Sequence, residues 1–253
     1  MAAKAPLRLA LLGGFVLSND GHELKLPASA QRLVSLLALR DRPVTRLYVA
    51  GTLWPEYSSE RSLADLRTTL WRVNQSGQTV IRTTHACLAL GDHIDVDVRR
   101  LVAFTRRLNE QAVRVEEVDL DSMGLSELGA ELLPDRYEEW LVDEREGLRQ
   151  VRLHALEALA ALLSEAGRHS DAIQAALAAV RLEPLRETAH RVLIEAHLAE
   201  GNWSEASRQF RRCQRLFREE LGVEPTVSLR RLLQAGQPTA PVPVRSERAL
   251  ARQ

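Results

Sequence analysis

Hydrophobic and polar positions alternate in two different ways along this chain. Leu7–Leu12, Phe15–Leu17 and Glu23–Leu26 are short apolar runs, separated by Gly13-Gly14 and by the tight-turn sequence Asn19-Asp20-Gly21, and they predict a small antiparallel sheet that Pro27 ends. A helical period follows. Ala28–Arg40 carries Leu33, Val34, Leu36, Leu37 and Leu39, and Arg42-Pro43 breaks it. Thr45 can cap a second helix, Arg46–Trp54, built on Leu47, Val49, Ala50 and Leu53. The stretch Ser58–Gln75 predicts a third helix, capped by Ser58 or Ser59, favoured by Glu60 near its positive end, and stopped by Ser76-Gly77. Val80–Thr84 and Cys87–Leu90 are then two strands joined by a tip around His85, and Ile94–Val98 is a further strand candidate.

In the third helix, Leu63, Leu66, Leu70 and Val73 fall on one stripe at 100° per residue. The opposite face carries Thr68 and Arg72, with Trp71 and Gln75 beside them and Arg67 and Thr69 at the flanks. Arg, Thr and Gln supply the donors that base edges and phosphates accept, so this is a candidate DNA-reading face, and Arg61 is counted with it. A charged outward face is also the default for any surface helix, so its meaning comes from context. Sheet, three helices and hairpin, in that order, make a winged helix-turn-helix with an extra N-terminal sheet, in which the hairpin is the wing and presents Arg82, Thr83, Thr84 and His85.

From Arg99 onward the pattern is helical. Arg99–Glu110 is one helix, Gln111–Gly129 an acidic irregular connection, and Asp135–Ala166 a long helix with Trp140, Leu141, Leu148, Val151, Leu156, Leu159 and Leu163 among its apolar positions. An internal repeat follows. Gly167 with Asp171-Ala172 recurs as Gly201 with Glu205-Ala206, a shift of 34 residues at which Ala155 matches Ala189, Leu159 matches Leu193 and Leu182 matches Leu216. That period predicts tetratricopeptide-like helix pairs with a glycine at each turn. The fold class is therefore mixed and mainly α, with small antiparallel sheets in the winged helix and an all-α helical-repeat part after it. The expected divisions are residues 1–98, 99–234 and a Pro-, Ala- and Arg-rich tail, 235–253, read as disordered.

Two resemblances rest on these runs. QRLVSLLAL, RPVTRLYVAGTLWP, SLADLRTTLWRVN and VIRTT resemble the OmpR/PhoB-type winged helix. Only about six residues precede the first strand, so no receiver domain is expected before it. The resemblance implies phosphate contacts from Trp54, Thr69, Trp71 and Arg82–Thr83, and base contacts from Arg67, Thr68 and Arg72. The chain departs from that family at Trp71, where a small or basic residue is usual, and at Ala86-Cys87-Leu88 in the wing. LLPDRYEEWLVDEREGLRQVRLHALEAL, RLEPLRETAHRVLIEAHLAEGNWSEA and LFREELGVEPTVSLRRLL resemble the bacterial transcriptional activator domain, with Glu219–Pro225 the most specific run. Together, residues 7–234 resemble SARP-type transcriptional activators. The resemblance implies promoter DNA with direct repeats, a head-to-tail homodimer on that DNA, and RNA polymerase as partner.

Charge and candidate chemistry adjust this picture only slightly. Net charge is 0, from 34 basic and 34 acidic residues, which lacks the basic excess of many nucleic-acid binders. Residues 1–100 hold 13 Lys and Arg against 9 Asp and Glu, while the remainder holds 21 against 25, so the mild basic excess sits with the winged helix. Cys87 and Cys213, without Cys or His neighbours, fit reduced thiols in a cytoplasmic protein, and no run approaches the ~20 apolar residues of a membrane span. There is no GxxxxGK[ST], GxSxG or HExxH motif and no metal-spaced Cys/His set, so neither catalysis nor a cofactor is expected, nor the ATPase of larger relatives. His190 and His197 share one helix face and are expected on a polar groove; Glu138-Glu139 and Asp143-Glu144 are expected on a solvated face. The competing function is a non-catalytic interaction scaffold whose winged helix binds protein, favoured by the neutral charge and by Trp71.

Overall fold

The computed structural model describes residues 7–75, 78–110, 113–115 and 128–237. The helix stop expected at Ser76-Gly77, most of the expected connection after Asn109 and nearly all of the expected tail lie outside the described residues. The chain divides into two compact units, Met1–Ala158 and Leu159–Gln253.

The first unit begins with β1 (Leu7–Ala10), β2 (Val16–Asn19) and β3 (His22–Glu23), an antiparallel meander. Gly13, Gly14, Asp20 and Gly21 turn the chain with positive φ. Helices α1 (Ala28–Leu39), α2 (Arg46–Leu53) and α3 (Ser59–Asn74) follow, with the two-residue strand β4 (Val44–Thr45) before α2. Then come β5 (Ile81–Thr83), β6 (Cys87–Leu90) and β7 (Ile94–Val96). β4, β6 and β5 form one antiparallel sheet. β7 returns to the N-terminal sheet and pairs with β1 in parallel, Leu7 opposite Ile94 and Leu9 opposite Val96. The N-terminal sheet is therefore mixed, where antiparallel pairing alone was expected.

Helix α4 (Asp97–Asn109) leaves β7 without a loop. Asp97, its first residue, is buried and accepts hydrogen bonds from the Leu11 and Leu12 amides at 2.8 and 2.9 Å and from its neighbour Val98 at 2.7 Å. One carboxylate thus satisfies the end of β1 and the start of a helix, both of which would otherwise carry bare amides. Burial pushes the Asp97 carboxyl above its ordinary value of 3.8, against the pull of those amides. Arg99 extends back to α1 and donates to the carbonyls of Ala38 (3.1 Å) and Arg40 (3.2 Å), capping that helix.

The long helix starts later than its apolar pattern predicts. α5 runs Trp140–Glu165, and Leu133-Pro134 instead forms a turn, with Leu133 at φ 45°. The Leu133 amide bonds Leu11 O, and Arg145, one turn inside α5, collects the carbonyls of Leu132 (2.9 Å), Leu133 (2.5 Å) and Arg136 (2.5 Å). Two carboxylates expected on a solvated face are paired instead: Glu138 with Arg32 at 3.1 Å and Glu144 with Arg40. These bonds, with Arg152 donating to Leu128 O at 2.6 Å, bring residues beyond Val98 into the first compact unit.

The second unit is helical: α6 (His169–Leu182), α7 (Glu187–Ala199), α8 (Trp203–Leu221) and α9 (Val227–Ala235). Gly167 and Gly201, the repeated turn glycines, both take positive φ, 76° and 82°. Ile194, Ala206, Phe210, Cys213, Phe217 and Leu229 form a core with Leu185, Leu198, Leu232 and Leu233 packed on it. Burial within it pushes the Cys213 thiol up to about 12, which leaves it inert at neutral pH. His190 is fully buried in this unit rather than facing a groove. Its Nε2 lies 2.8 Å from Pro184 O and its Nδ1 2.7 Å from Gln209 Nε2, which assigns the proton to Nε2 and makes Nδ1 the acceptor. Among the described residues no helix is long and apolar enough to cross a membrane.

Two stability predictions follow from these buried groups. Asp97→Ala leaves two strand-end amides without an acceptor and should cost about 1–3 kcal/mol in urea unfolding, with Asp97→Asn costing less; equal stability of Asp97→Ala and wild type would contradict this role. Burial, ahead of Arg212, holds the His190 pKa below its ordinary 6.5. The unfolded chain therefore takes up the proton first, and stability present above that value is lost as pH falls below it. Thermal unfolding should show Tm falling from about pH 7 to about pH 5, with His190→Gln flattening part of the slope; an unchanged slope would exclude His190 as its source.

Candidate nucleic-acid interface

The geometry around α3 is set by its two ends and one side. At its start the Ser58 hydroxyl accepts from the Arg61 amide at 3.4 Å, and Glu60 lies in the first turn. Ser62 Oγ lies 3.1 Å from both Trp54 O and Ser58 O, so its single proton is shared between the end of α2 and the cap of α3. Arg32 of α1 donates to Leu53 O at 2.7 Å and closes the end of α2. The turn joining the two helices is thereby fixed by side chains of α1, of α3 and of the turn itself.

Along its length α3 packs on α1 and α2 through Ser62, Leu66, Thr69, Leu70 and Val73. This corrects the expected stripe. Leu63 is only half-buried, and the ridge is completed by two small polar residues whose spacing fits it better. Thr69 is 2% exposed and Trp54 9% exposed. Neither presents its side chain as the resemblance implied: Thr69 sits on the inward ridge of α3, and Trp54, which follows α2, is almost fully buried. Arg61, Arg67, Thr68, Trp71 and Arg72 are all exposed. The Arg61 guanidinium lies over the Tyr57 ring, 4.3 Å from its centroid, which holds its charge close to the α2–α3 turn. Thr68 donates its hydroxyl proton to Ala64 O at 3.2 Å. Among the described residues, none of Arg61, Arg67 and Arg72 has an ion-pair partner.

The wing is tied to the start of α2. Val44 and Thr45 pair with Leu88 and Cys87, and the Arg46 amide donates to Ala86 O at 3.0 Å. Thr45 also caps α2, accepting from the Tyr48 amide at 3.3 Å. At the wing tip, Thr84 Oγ1 accepts from the Cys87 amide at 3.0 Å, and His85 is exposed. Arg82 and Thr83 are exposed as well, but Arg82 is engaged by Asp92 at 2.7 Å. An exposed pair of this kind is worth under about 1 kcal/mol and can exchange its partner. The β4–β6 pairing leaves no signal in the sequence, since a strand of two residues has no period. Among the described residues no three His, Cys, Asp or Glu side chains gather to hold a metal ion.

Comparison with known proteins places this geometry in a family. The bacterial transcriptional activator domain matches residues 95–235. The chain is similar to the regulatory protein AfsR of Streptomyces griseus, 29% identical over 241 residues, covering 90% of this chain and 24% of that protein. It is also similar to the regulatory protein AfsR of Streptomyces coelicolor, 27% identical over 240 residues with the same coverage. The chain thus spans about a quarter of the length of these curated relatives. Among solved structures, Mycobacterium tuberculosis EmbR in complex with low affinity phosphopeptide superposes with a TM-score of 0.71 at 22% identity, covering 93% of this chain and 66% of that one; the likeness is one of fold. The chain belongs to the bacterial transcriptional activator domain family, in agreement with the SARP-type resemblance of its sequence.

Proposed function

We propose that this protein is a sequence-specific DNA-binding activator that places α3 in the major groove of promoter DNA. The observation that carries this reading is the two-sidedness of α3. One side is buried on α1 and α2, and the other presents Arg61, Arg67 and Arg72, exposed and without ion-pair partners among the described residues. Guanidinium groups in that position can take bidentate bonds from guanine edges or from phosphate oxygens. Arg82, Thr83 and His85 of the wing add contacts to the backbone or minor groove, Arg82 by exchanging Asp92 for a phosphate. Trp54 and Thr69 serve from beneath, by holding the helix rather than touching DNA.

In this proposal residues up to Val98 bind DNA and residues from Arg99 form the activator part. Two copies sit head to tail on direct repeats, and the activator part engages RNA polymerase in the cytoplasm. Membership in a regulatory family and similarity to two regulatory proteins support that reading.

Fluorescence anisotropy with duplexes from upstream of the protein's own gene, at several salt concentrations, tests it. About 4–6 phosphate contacts per protomer give a log–log salt slope of about −4 to −5. Binding no duplex better than random DNA would contradict the proposal. Arg72→Ala should cost about 1–3 kcal/mol and relax preference at one base position; a uniform loss on all sequences would assign Arg72 to phosphate instead.

A further inference from the structure

The outward side of α3 carries more than cations. Ala64, Thr68 and Trp71 follow one another at four and three residues, the spacing that aligns side chains along one side of a helix. Trp71 is 61% exposed, and an indole held in water stands to gain by being covered. Thr68 is exposed, but its hydroxyl proton is spent on Ala64 O, 3.2 Å away. Ala64 is half-buried and contributes a methyl group. The middle of the face therefore offers two methyls and an aromatic ring, with Arg67 on one flank and Arg72 on the other.

This strip is chemically selective. Its seven-residue reach covers roughly 10 Å at 1.5 Å per residue, about three base-pair steps. In the major groove, most base-edge atoms are hydrogen-bond donors or acceptors, and covering them with a methyl or an indole removes water and returns nothing. The exception is the C5-methyl group of thymine, which apolar side chains recognise.

We infer that Ala64, Thr68 and Trp71 form an apolar reading strip for thymine methyl groups on neighbouring A·T pairs, bracketed by Arg67 and Arg72. The inference rests on the assignment of α3 to the major groove. It makes Trp71, the residue least expected at this position, a determinant of base preference.

The test uses the full chain and a duplex selected by it from a random pool. Each thymine of that duplex is replaced in turn by deoxyuridine, which removes the methyl and nothing else. Wild type should lose about fourfold in affinity at each of one to three neighbouring positions, the worth of one buried methyl. In Trp71→Ala the loss at one position should disappear, and in Thr68→Ser, which keeps the hydroxyl, the loss at an adjacent position should disappear. Both residues are exposed, and circular dichroism checks that the variants fold. Wild-type affinity indifferent to every deoxyuridine, or losses that persist in both variants, would overturn the strip while leaving DNA binding by α3 intact. A pool that yields no enriched duplex would overturn the assignment of α3 and the strip with it.

Discussion

The burial of one ridge on α3 determines what the rest of that helix can do. Ser62, Leu66, Thr69, Leu70 and Val73 are inward, and a helix has only one rotation that buries all five. Turning it back by a single residue, 100°, would carry Leu66 and Leu70 out of the core and draw Arg61, Asp65 and Arg72 in, at a cost of several kcal/mol for the leucines alone. Arg67, Thr68, Trp71 and Arg72 face out because the ridge faces in. The surrounding bonds defend that orientation: Ser58 caps the helix, Ser62 reaches Trp54 O, and Arg32 closes the helix before it. Two polar residues belong to the ridge for this reason. Ser62 is bonded where it is buried, and Thr69 is small enough for close approach to α1 and α2.

What the sequence made legible was local. The helical periods of α1, α2 and α3, the caps at Thr45 and Ser58, the strand Cys87–Leu90 and the turn glycines Gly167 and Gly201 all act within a few residues of themselves. What was illegible depends on partners far along the chain. The parallel pairing of β7 with β1 joins residues 7–9 to 94–96, and a three-residue strand carries no signal of its neighbour. The turn at Leu133 is held by Arg145 and by Leu11, and neither is implied by the apolar pattern that continues through it. His190 is polar by composition and core by position, because Pro184 and Gln209 satisfy both its nitrogens. At the candidate interface the exposed arginines were readable from the period alone. The burial of Thr69 and Trp54 was not, since the family resemblance pointed both of them outward.

The most family-specific run in the chain turns out to be architectural. In Glu219–Pro225, Gly222 ends α8 in the left-handed conformation at φ 69°. Glu224 then reaches back to Gln214 at 2.8 Å and to Arg218 at 3.0 Å, and those bonds hold its carboxyl below the ordinary 4.5. Thr226 caps α9 while its own amide is held by Glu187 of α7 at 2.8 Å. That run thus specifies how α7, α8 and α9 meet. Trp71 is a different kind of departure, a large apolar side chain left in water on the helix that carries three exposed arginines.

Hydroxyl-radical side-chain footprinting read by mass spectrometry compares the free chain with the chain on a saturating duplex. Trp71, 61% exposed, and Tyr137, 89% exposed and remote from α3 in sequence, both oxidise readily when free. If the outward side of α3 is the surface that meets DNA, Trp71 becomes protected on the duplex while Tyr137 oxidises as before. Trp71 oxidised equally fast with and without bound DNA would show that the duplex lies elsewhere.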